Sequence, residues 1–141
     1  MLPIKKGEVY QTIGRTITET DIVNFCGISG DFTRLHIDEE FAKSLPHGTR
    51  IAHGPLVSAV AIGLATWLGI FADRVIGALN SSWTFLAPVK AGDTIRAEVT
   101  IAELRPTSKP GRALASYDFS VKNQDDVEVQ TGRLTVILRD D

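Results

Sequence analysis

Apolar and polar residues follow two different periods in the two halves of the chain. Between residues 18 and 71 the apolar positions recur at helical spacing, whereas from about residue 75 onward they alternate with polar residues, as in strands. A group of helices followed by a group of strands predicts an α+β fold. The sequence contains no internal repeat, low-complexity segment or linker, so we expect a single domain over residues 1–141.

Two short helices are predicted in the first third of the chain. Thr18 or Thr20 is expected to cap the first helix, whose opening turn is acidic. Gly27 or Gly30 is expected to end it. Asp38 is expected to cap the second helix, which also opens with acidic residues and stops before a proline.

A third and longer helix is predicted to begin after Gly54, with Pro55 in its first turn, and to run to about Phe71. Its apolar residues point in nearly every direction, so this helix should be buried on most sides rather than amphipathic. We expect Trp67 and Trp83 to fill the core. A membrane span is not expected, because no basic cluster flanks the segment and small or polar residues interrupt it. The interrupting residues are Ser58, Gly63, Thr66 and Gly69.

Five strand-like stretches follow the long helix, separated by turn-forming residues. Their alternation gives the predicted sheet one apolar face. An apolar helix and a sheet of this kind bury each other's surfaces if the sheet wraps around the helix. The predicted strands cover residues 74–79, 81–86, 94–104, 113–123 and 127–139, and the alternation is clearest at Ile95, Ala97, Val99 and Ile101.

Composition and charge narrow the class of protein. A chain of 141 residues, 43% of them hydrophobic, is long enough to bury a core of its own. Its 15 basic and 17 acidic residues are interspersed, so we expect no nucleic-acid partner. The single Cys26 excludes an internal disulfide and a cysteine zinc cluster. The N-terminus resembles neither a secretory signal nor a transit peptide, so a cytoplasmic location is expected.

The segment between the first two predicted helices carries an acid and an imidazole, Asp31 and His36. A loop can direct both side chains into one cleft. Addition of water to a double bond needs one group that takes a proton from water and another that delivers a proton to carbon, and a carboxylate beside an imidazole supplies both. The alternative is that Asp31 only caps a turn and His36 is an ordinary histidine.

A second candidate group is the backbone amide of Gly54, at the start of the long helix. Helix N-termini carry unpaired N–H groups, so this amide is able to bind a carbonyl oxygen that gains negative charge. The alternative is that Gly54 only allows a tight turn before Pro55.

The segments SGDFTRLHIDEEFA and RIAHGPL resemble the MaoC-like hydratases and dehydratases, the family of the (R)-specific enoyl-CoA hydratases, whose usual signature is Gly-Asp-x-Asn-Pro-(Leu/Ile)-His. The resemblance extends over nearly the whole chain. It implies a hot-dog fold, in which a sheet wraps around one long helix and two chains pair edge to edge as a homodimer. It also implies interconversion of 2-enoyl and (R)-3-hydroxyacyl thioesters, with coenzyme A or acyl carrier protein entering as part of the substrate and no separate cofactor.

By the same resemblance, Asp31 and His36 match the family's catalytic acid and histidine. Gly54 matches the glycine whose amide binds the thioester carbonyl. Asp31 would act as the base toward one bound water, and His36 would donate a proton to the alpha carbon in a syn addition.

Two residues depart from the family signature inside the same loop. Thr33 and Arg34 stand where the family usually has Asn and Pro. Both are candidate substrate-binding residues: Thr33 retains a hydroxyl for hydrogen bonding within the loop, and Arg34 is able to meet a carboxylate on an unusual acyl group or a phosphate of the carrier. The alternative for Arg34 is an exposed, solvated side chain.

Other candidate sites are weaker. His47 and His53, taken with Asp31, His36 and Asp38, make a possible metal-binding set, but the spacing matches no metal motif and we expect no metal. Three cations are candidates, by charge alone, to bind phosphates of the carrier. They are Arg50, Lys90 and Arg112.

Two other functions stay open at this stage. A thioesterase on the same fold would use a carboxylate to activate water without needing the paired histidine. A non-catalytic hot-dog subunit that pairs with an active partner would need neither Asp31 nor His36.

Overall fold

The computed structural model describes residues 2–141, which form four α-helices and six β-strands. The predicted α+β class is therefore confirmed. In chain order the elements are β1 (Val9–Gln11), β2 (Arg15–Thr16), α1 (Glu19–Ser29), α2 (Arg34–Ile37), α3 (Glu39–Ala42), α4 (Gly54–Thr66), β3 (Val75–Phe85), β4 (Thr94–Pro106), β5 (Arg112–Lys122) and β6 (Glu128–Arg139), with a turn of 3-10 helix at Ala72–Arg74 before β3.

Helix α1 has its ends at two of the predicted residues. The Thr18 hydroxyl accepts the Asp21 N–H at 3.1 Å, and the Asp21 carboxylate accepts the Thr18 N–H at 2.8 Å, which is a reciprocal capping box. Gly30 ends the helix with φ of +75°, a left-handed conformation that glycine adopts without steric cost. This turn leads directly into the loop that carries Asp31.

Helix α3 is capped as predicted, but α2 was not predicted. The Asp38 carboxylate accepts the Phe41 N–H at 3.0 Å at the start of α3. Helix α2 is a single turn of four residues without a side-chain cap. A helix this short is not recognisable from the sequence, because it shows no helical periodicity. His36 is therefore held on a helical turn, whereas the sequence suggested an irregular loop.

Helix α4 begins at Gly54, one residue before the predicted start, and ends at Thr66, before the predicted end near Phe71. The chain turns away at Gly69, whose φ of +74° is incompatible with a continued helix. Most of the helix surface is buried, as predicted, and only a narrow stripe is exposed. No helix within residues 2–141 has the length and apolar character needed to cross a membrane. The buried residues of α4 are Leu56, Val57, Ser58, Val60, Ala61, Leu64 and Ala65.

The two tryptophans have different environments. Trp67 follows the end of α4 and is 85% exposed, so the expectation that it fills the core is wrong. The early end of the helix leaves its side chain outside the buried stretch. Trp83 in β3 is partly buried and packs against the core, with its ring centroid 5.3 Å from that of Phe119.

The strands differ from the predicted ones in two places. The stretches predicted at residues 74–79 and 81–86 are one continuous strand, β3. Its pairing register with β6 shifts twice, between Val75 and Gly77 and between Ala78 and Asn80. Strands β1 and β2 were not predicted, because two or three residues are too few to show alternation.

The strands form one antiparallel sheet in the order β1, β4, β5, β6, β3, with β2 pairing beside β1 along β4. The inward side chains of this sheet form one core cluster with α4. This is the hot-dog arrangement that the resemblance implied. Strand β3 lies at one edge of the sheet. The predicted alternation in β4 is confirmed, since Ile95, Ala97, Val99 and Ile101 are fully buried.

We expect Gly132→Ala to destabilise the fold. A Cβ at Gly132 in β6 would overlap the ring of Trp83, which cannot move freely because it packs on Phe119. Overpacking of this kind costs about 1–3 kcal/mol in the free energy of unfolding. Urea denaturation measures it. Gly63→Ala is the matched control, because a Cβ on this helical glycine meets nothing within 4 Å and should stabilise the protein by about 0.5–1 kcal/mol. Equal stability of both variants would contradict the packing described.

Candidate active site

One carboxylate oxygen of Asp31 accepts hydrogen bonds from a residue of the same loop, and the other oxygen accepts none of these bonds. The backbone N–H and the hydroxyl of Thr33 both donate to Asp31 Oδ1, at 3.1 Å and 2.6 Å. These hydrogen bonds favour the ionised form and lower the pKa of Asp31 below its ordinary value. The site therefore contains a carboxylate at neutral pH, and its Oδ2 is available to a ligand.

His36 on α2 is buried, and its ring is oriented by a backbone carbonyl. Its Nδ1 lies 2.7 Å from the carbonyl oxygen of Ile51. A carbonyl only accepts, so Nδ1 carries the proton and Nε2 presents a lone pair in the neutral ring. Burial lowers the pKa of His36, partly offset by this hydrogen bond. His36 is therefore uncharged at neutral pH and able to accept a proton at Nε2.

The two groups face each other across a short gap. His36 Nε2 lies 3.9 Å from Asp31 Oδ2, which is too long for a direct hydrogen bond. A water molecule at about 2.8 Å from both atoms fits this separation. The sequence placed Asp31 and His36 in one cleft, and the structure brings them together.

His53 lies directly behind this pair. Its side chain is 1% exposed, and its Nε2 is 3.0 Å from the backbone carbonyl oxygen of Asp31. Its ring stacks on that of His36 at a centroid distance of 3.7 Å. Possible metal-ligand atoms of Asp31, His36 and His53 lie within 4.8 Å of one another. However, Nε2 of His53 carries the proton that it donates to the Asp31 carbonyl, so in this tautomer it has no lone pair for a metal. The absence of a metal stays a prediction.

Gly54 presents the first N–H of helix α4, which has no acceptor within the helix. A Cβ at this position would lie 2.6 Å from the Phe85 ring, so any other residue here would force that ring to move. The Gly54 carbonyl accepts the Gln130 side-chain amide at 2.9 Å. The Ser58 hydroxyl donates to Gln130 Oε1 at 2.6 Å, so two buried polar side chains fix the start of the helix.

A cavity of about 340 Å³ joins His36 to Gly54. Apolar side chains supply most of its wall, with His47 and Gln130 as further polar members. This composition suits an apolar ligand with one polar group held at a fixed point. The apolar lining residues are Ile51, Ala52, Val57, Phe85, Leu86, Ala87, Pro88 and Val89.

Arg34 and Thr33 do not line this cavity. The Arg34 guanidinium donates twice to Asp38 Oδ2, at 3.1 Å and 2.9 Å, and lies over the Phe41 ring. Asp38 thus serves both the α3 cap and Arg34. Within the described structure, Thr33 hydrogen-bonds to Asp31, and Arg34 forms an ion pair with the residue that caps α3.

Of the other cations predicted from charge, Arg50 is engaged by two carboxylates. It pairs with Glu19 at 2.8 Å and with Glu39 at 3.1 Å. These ion pairs connect α1 to α3, so the Arg50 side chain has a structural role between the two helices.

Two site residues were missed by the sequence analysis. Gln130 lies in β6, 76 residues after Gly54, and no local pattern marks a glutamine that will be buried. His53 was considered only as a metal ligand, although its position directly before Gly54 was a signal that it would lie near the helix start.

Comparison with known proteins finds relatives over most of the chain. A family model described as "MaoC like domain" matches residues 3–123, which include Asp31, His36 and Gly54. The (R)-specific enoyl-CoA hydratase of Rhodospirillum rubrum is 37% identical over 110 residues, which cover 75% of this chain and 72% of that protein. The 3-hydroxybutyryl-CoA dehydratase of Methylorubrum extorquens is 39% identical over 107 residues, which cover 72% of this chain and 64% of that protein.

A solved structure is similar over nearly the full length. The X-ray structure of a protein named monoamine oxidase regulatory protein, from Archaeoglobus fulgius, superposes with a TM-score of 0.85 and is 33% identical. The superposition covers 98% of this chain and 92% of that one.

We expect Thr33→Val to raise the pKa of Asp31. The substitution keeps the side-chain shape but removes the hydroxyl that donates to Oδ1 at 2.6 Å, so the carboxylate loses its strongest stabilising contact. Thr33→Ser keeps the hydroxyl and should leave the pKa of Asp31 close to that of the parent. Titration of the Asp31 carboxyl by carbon-13 NMR measures both. The same low pKa in the valine variant would show that the hydroxyl does not hold the carboxylate.

Proposed function

The chain belongs to the family of MaoC-like domains, and on that premise we propose that it adds water to 2-enoyl thioesters and removes water from (R)-3-hydroxyacyl thioesters, with acyl-CoA as the substrate. The relatives named as hydratase and dehydratase support this activity. The observation that carries the proposal for the site is the separation of 3.9 Å between Asp31 Oδ2 and His36 Nε2. It suits a carboxylate and an imidazole that share one water.

The thioester binds with its carbonyl oxygen at the Gly54 N–H. As water adds to the beta carbon, negative charge moves to this oxygen, and the helix N-terminus stabilises the resulting enolate. The acyl chain occupies the apolar cavity that joins Gly54 to His36. The steps use protein groups and water, and coenzyme A takes part only as a portion of the substrate.

His36 accepts and then returns the proton in this mechanism. Water's oxygen bonds to the beta carbon while one O–H bond breaks and its proton moves to His36 Nε2. The imidazolium then donates the same proton to the alpha carbon, which gives a syn addition. Dehydration follows the reverse path.

Asp31 supports this transfer as an ionised group. Its Oδ2 accepts a hydrogen bond from the hydrogen that the water retains, and its charge stabilises the imidazolium. The sequence suggested Asp31 as the base. We assign proton acceptance to His36 instead, because the hydrogen bonds from Thr33 lower the pKa of Asp31 and make it a weak base.

The second copy in the proposed homodimer pairs along β3. This strand is an edge of the sheet, opposite the edge formed by β1 and β2, and an edge with exposed apolar side chains is able to pair with another strand. A twofold axis at this edge would join two sheets into one. The exposed apolar residues on or beside β3 are Val75, Ile76, Leu79, Phe85 and Leu86.

Removal of either member of the pair should abolish hydration. With crotonyl-CoA as the probe, we expect Asp31→Asn and His36→Gln to lower kcat on the order of a hundredfold or more, because each loses a group needed for proton transfer. Loss of enoyl absorbance and release of free thiol are followed together.

The control for this experiment is Arg34→Gln. It removes a surface pair with Asp38 outside the cavity and should leave kcat within about threefold of the parent. Thiol release by the parent protein would indicate a thioesterase. Unchanged turnover in both dyad variants would show that the site lies elsewhere.

The pH dependence separates the two assignments of the base. The proposed mechanism needs His36 uncharged and Asp31 ionised, and the pKa of each is lowered. We therefore expect kcat/KM for crotonyl-CoA hydration to rise with pH, with the midpoint of the rise below about pH 6.5, and to stay level up to about pH 8. If His36 had to start protonated, kcat/KM would fall as the pH rose through the same range.

Sedimentation velocity tests the dimer. We expect a species of twice the chain mass of 15.3 kDa. Leu79→Lys places a charge in the paired edge and should shift the equilibrium toward the monomer. Ile13→Lys, at an equally exposed apolar residue away from β3, should not. A parent protein that sediments as a monomer would exclude the homodimer.

A further inference from the structure

We infer that His53 is a positioning residue that holds Asp31 and His36 in their reacting arrangement through two separate contacts. The inference rests on the proposed hydration activity. It concerns a buried histidine that the proposed mechanism does not otherwise use.

The first contact is a hydrogen bond to the backbone of Asp31. The Asp31 carbonyl oxygen only accepts, so the His53 Nε2 that lies 3.0 Å away carries a proton and donates it. Asp31 itself stands on an exposed loop, and its other hydrogen bonds are made with near neighbours in the chain, Ser29 at the end of α1 and Thr33. The bond from His53 connects this loop to the rigid start of α4.

The second contact is the stacking of two imidazole rings. The rings of His53 and His36 lie 3.7 Å apart with an angle of 22° between their planes. The Phe25 ring contacts His53 at 4.8 Å, so His53 is held against a second aromatic ring of the core. Stacking on one face and the Ile51 carbonyl at Nδ1 together fix the plane of His36, and this keeps Nε2 directed at Asp31.

The position of His53 in the chain connects these contacts to the third part of the site. It directly precedes Gly54, whose N–H meets the thioester oxygen in the proposed mechanism. One buried residue therefore sets the distance between the proton-transferring groups and the carbonyl-binding amide. Because His53 is not among the residues that line the cavity, its loss should change kcat rather than KM.

Two substitutions separate the donor from the ring. His53→Phe keeps an aromatic ring against His36 but has no donor for the Asp31 carbonyl. His53→Gln keeps an N–H donor at about the same reach but loses the ring. We expect kcat for crotonyl-CoA hydration to fall on the order of tenfold to a hundredfold in the phenylalanine variant, with KM within about twofold of the parent. The glutamine variant should recover a large part of that loss.

Cys26→Ala is the matched control. The Cys26 sulfur lies 3.5 Å from the same His53 nitrogen, so this variant disturbs packing around His53 while leaving its bond to Asp31 intact. Its kcat should stay close to that of the parent. Losses of kcat that follow the melting temperatures of the variants, with no difference between phenylalanine and glutamine, would overturn the positioning role.

NMR of the parent protein gives a second test that does not depend on variant folding or on activity. The chain has three histidines, so nitrogen-15 labelling of histidine resolves each ring. We expect the Nε2–H tautomer for His53 and the Nδ1–H tautomer for His36. An Nδ1–H tautomer at His53 would mean that the bond to Asp31 does not exist and would overturn the inference. A parent protein with the expected tautomers but no hydration would instead contradict the proposed function.

Discussion

The burial of the first turn of α4 is the constraint on which both the fold and the site depend. The helix enters the curved sheet at Gly54, where the Phe85 ring occupies the space that a side chain would need. Gln130 donates to the Gly54 carbonyl and accepts from Ser58, so buried side chains fix the backbone of this turn. The N–H in front of it stays unpaired, because the first amides of a helix have no partner within it. In the proposed mechanism this N–H is the binding point for the thioester carbonyl oxygen.

The chemistry of the site follows from two unlike environments placed side by side. Asp31 is exposed and receives two hydrogen bonds from Thr33, which favour its charge, while His36 is buried, which disfavours charge. Asp31 is therefore ionised and His36 uncharged at neutral pH, and in the proposed mechanism a shared water is the source of the proton that moves. This accounts for a site that is able both to add water and, in reverse, to remove it.

The sequence predicted those features that local patterns encode. Capping residues such as Thr18 and Asp38 marked helix starts, and period-two alternation marked β4, because each signal lies within a few residues. The family signature likewise singled out Asp31, His36 and Gly54 as candidate site residues, and that assignment stays a prediction. The departure of Arg34 from that signature suggested a substrate role, with an exposed arginine as the alternative. Its ion pair with Asp38, four residues on, became visible only once α2 was known to be helical.

Features that depend on distant parts of the chain were not predictable in this way. Gln130 reaches the start of α4 from the last strand, 76 residues after Gly54. His53 combines a local and a distant feature. Its place before Gly54 is evident in the sequence, whereas its contacts with Asp31 and His36 are seen only in the folded chain.

The central claim is that one water, held between Asp31 and His36, supplies both the hydroxyl and the alpha proton. Hydration of crotonyl-CoA in deuterium oxide tests it most directly, with the product analysed by NMR for configuration at both carbons. The account predicts an (R)-3-hydroxybutyryl thioester with one deuterium at the alpha carbon, on the same face as the new hydroxyl. Deuterium on the opposite face, or free coenzyme A without a hydroxyacyl product, would contradict it.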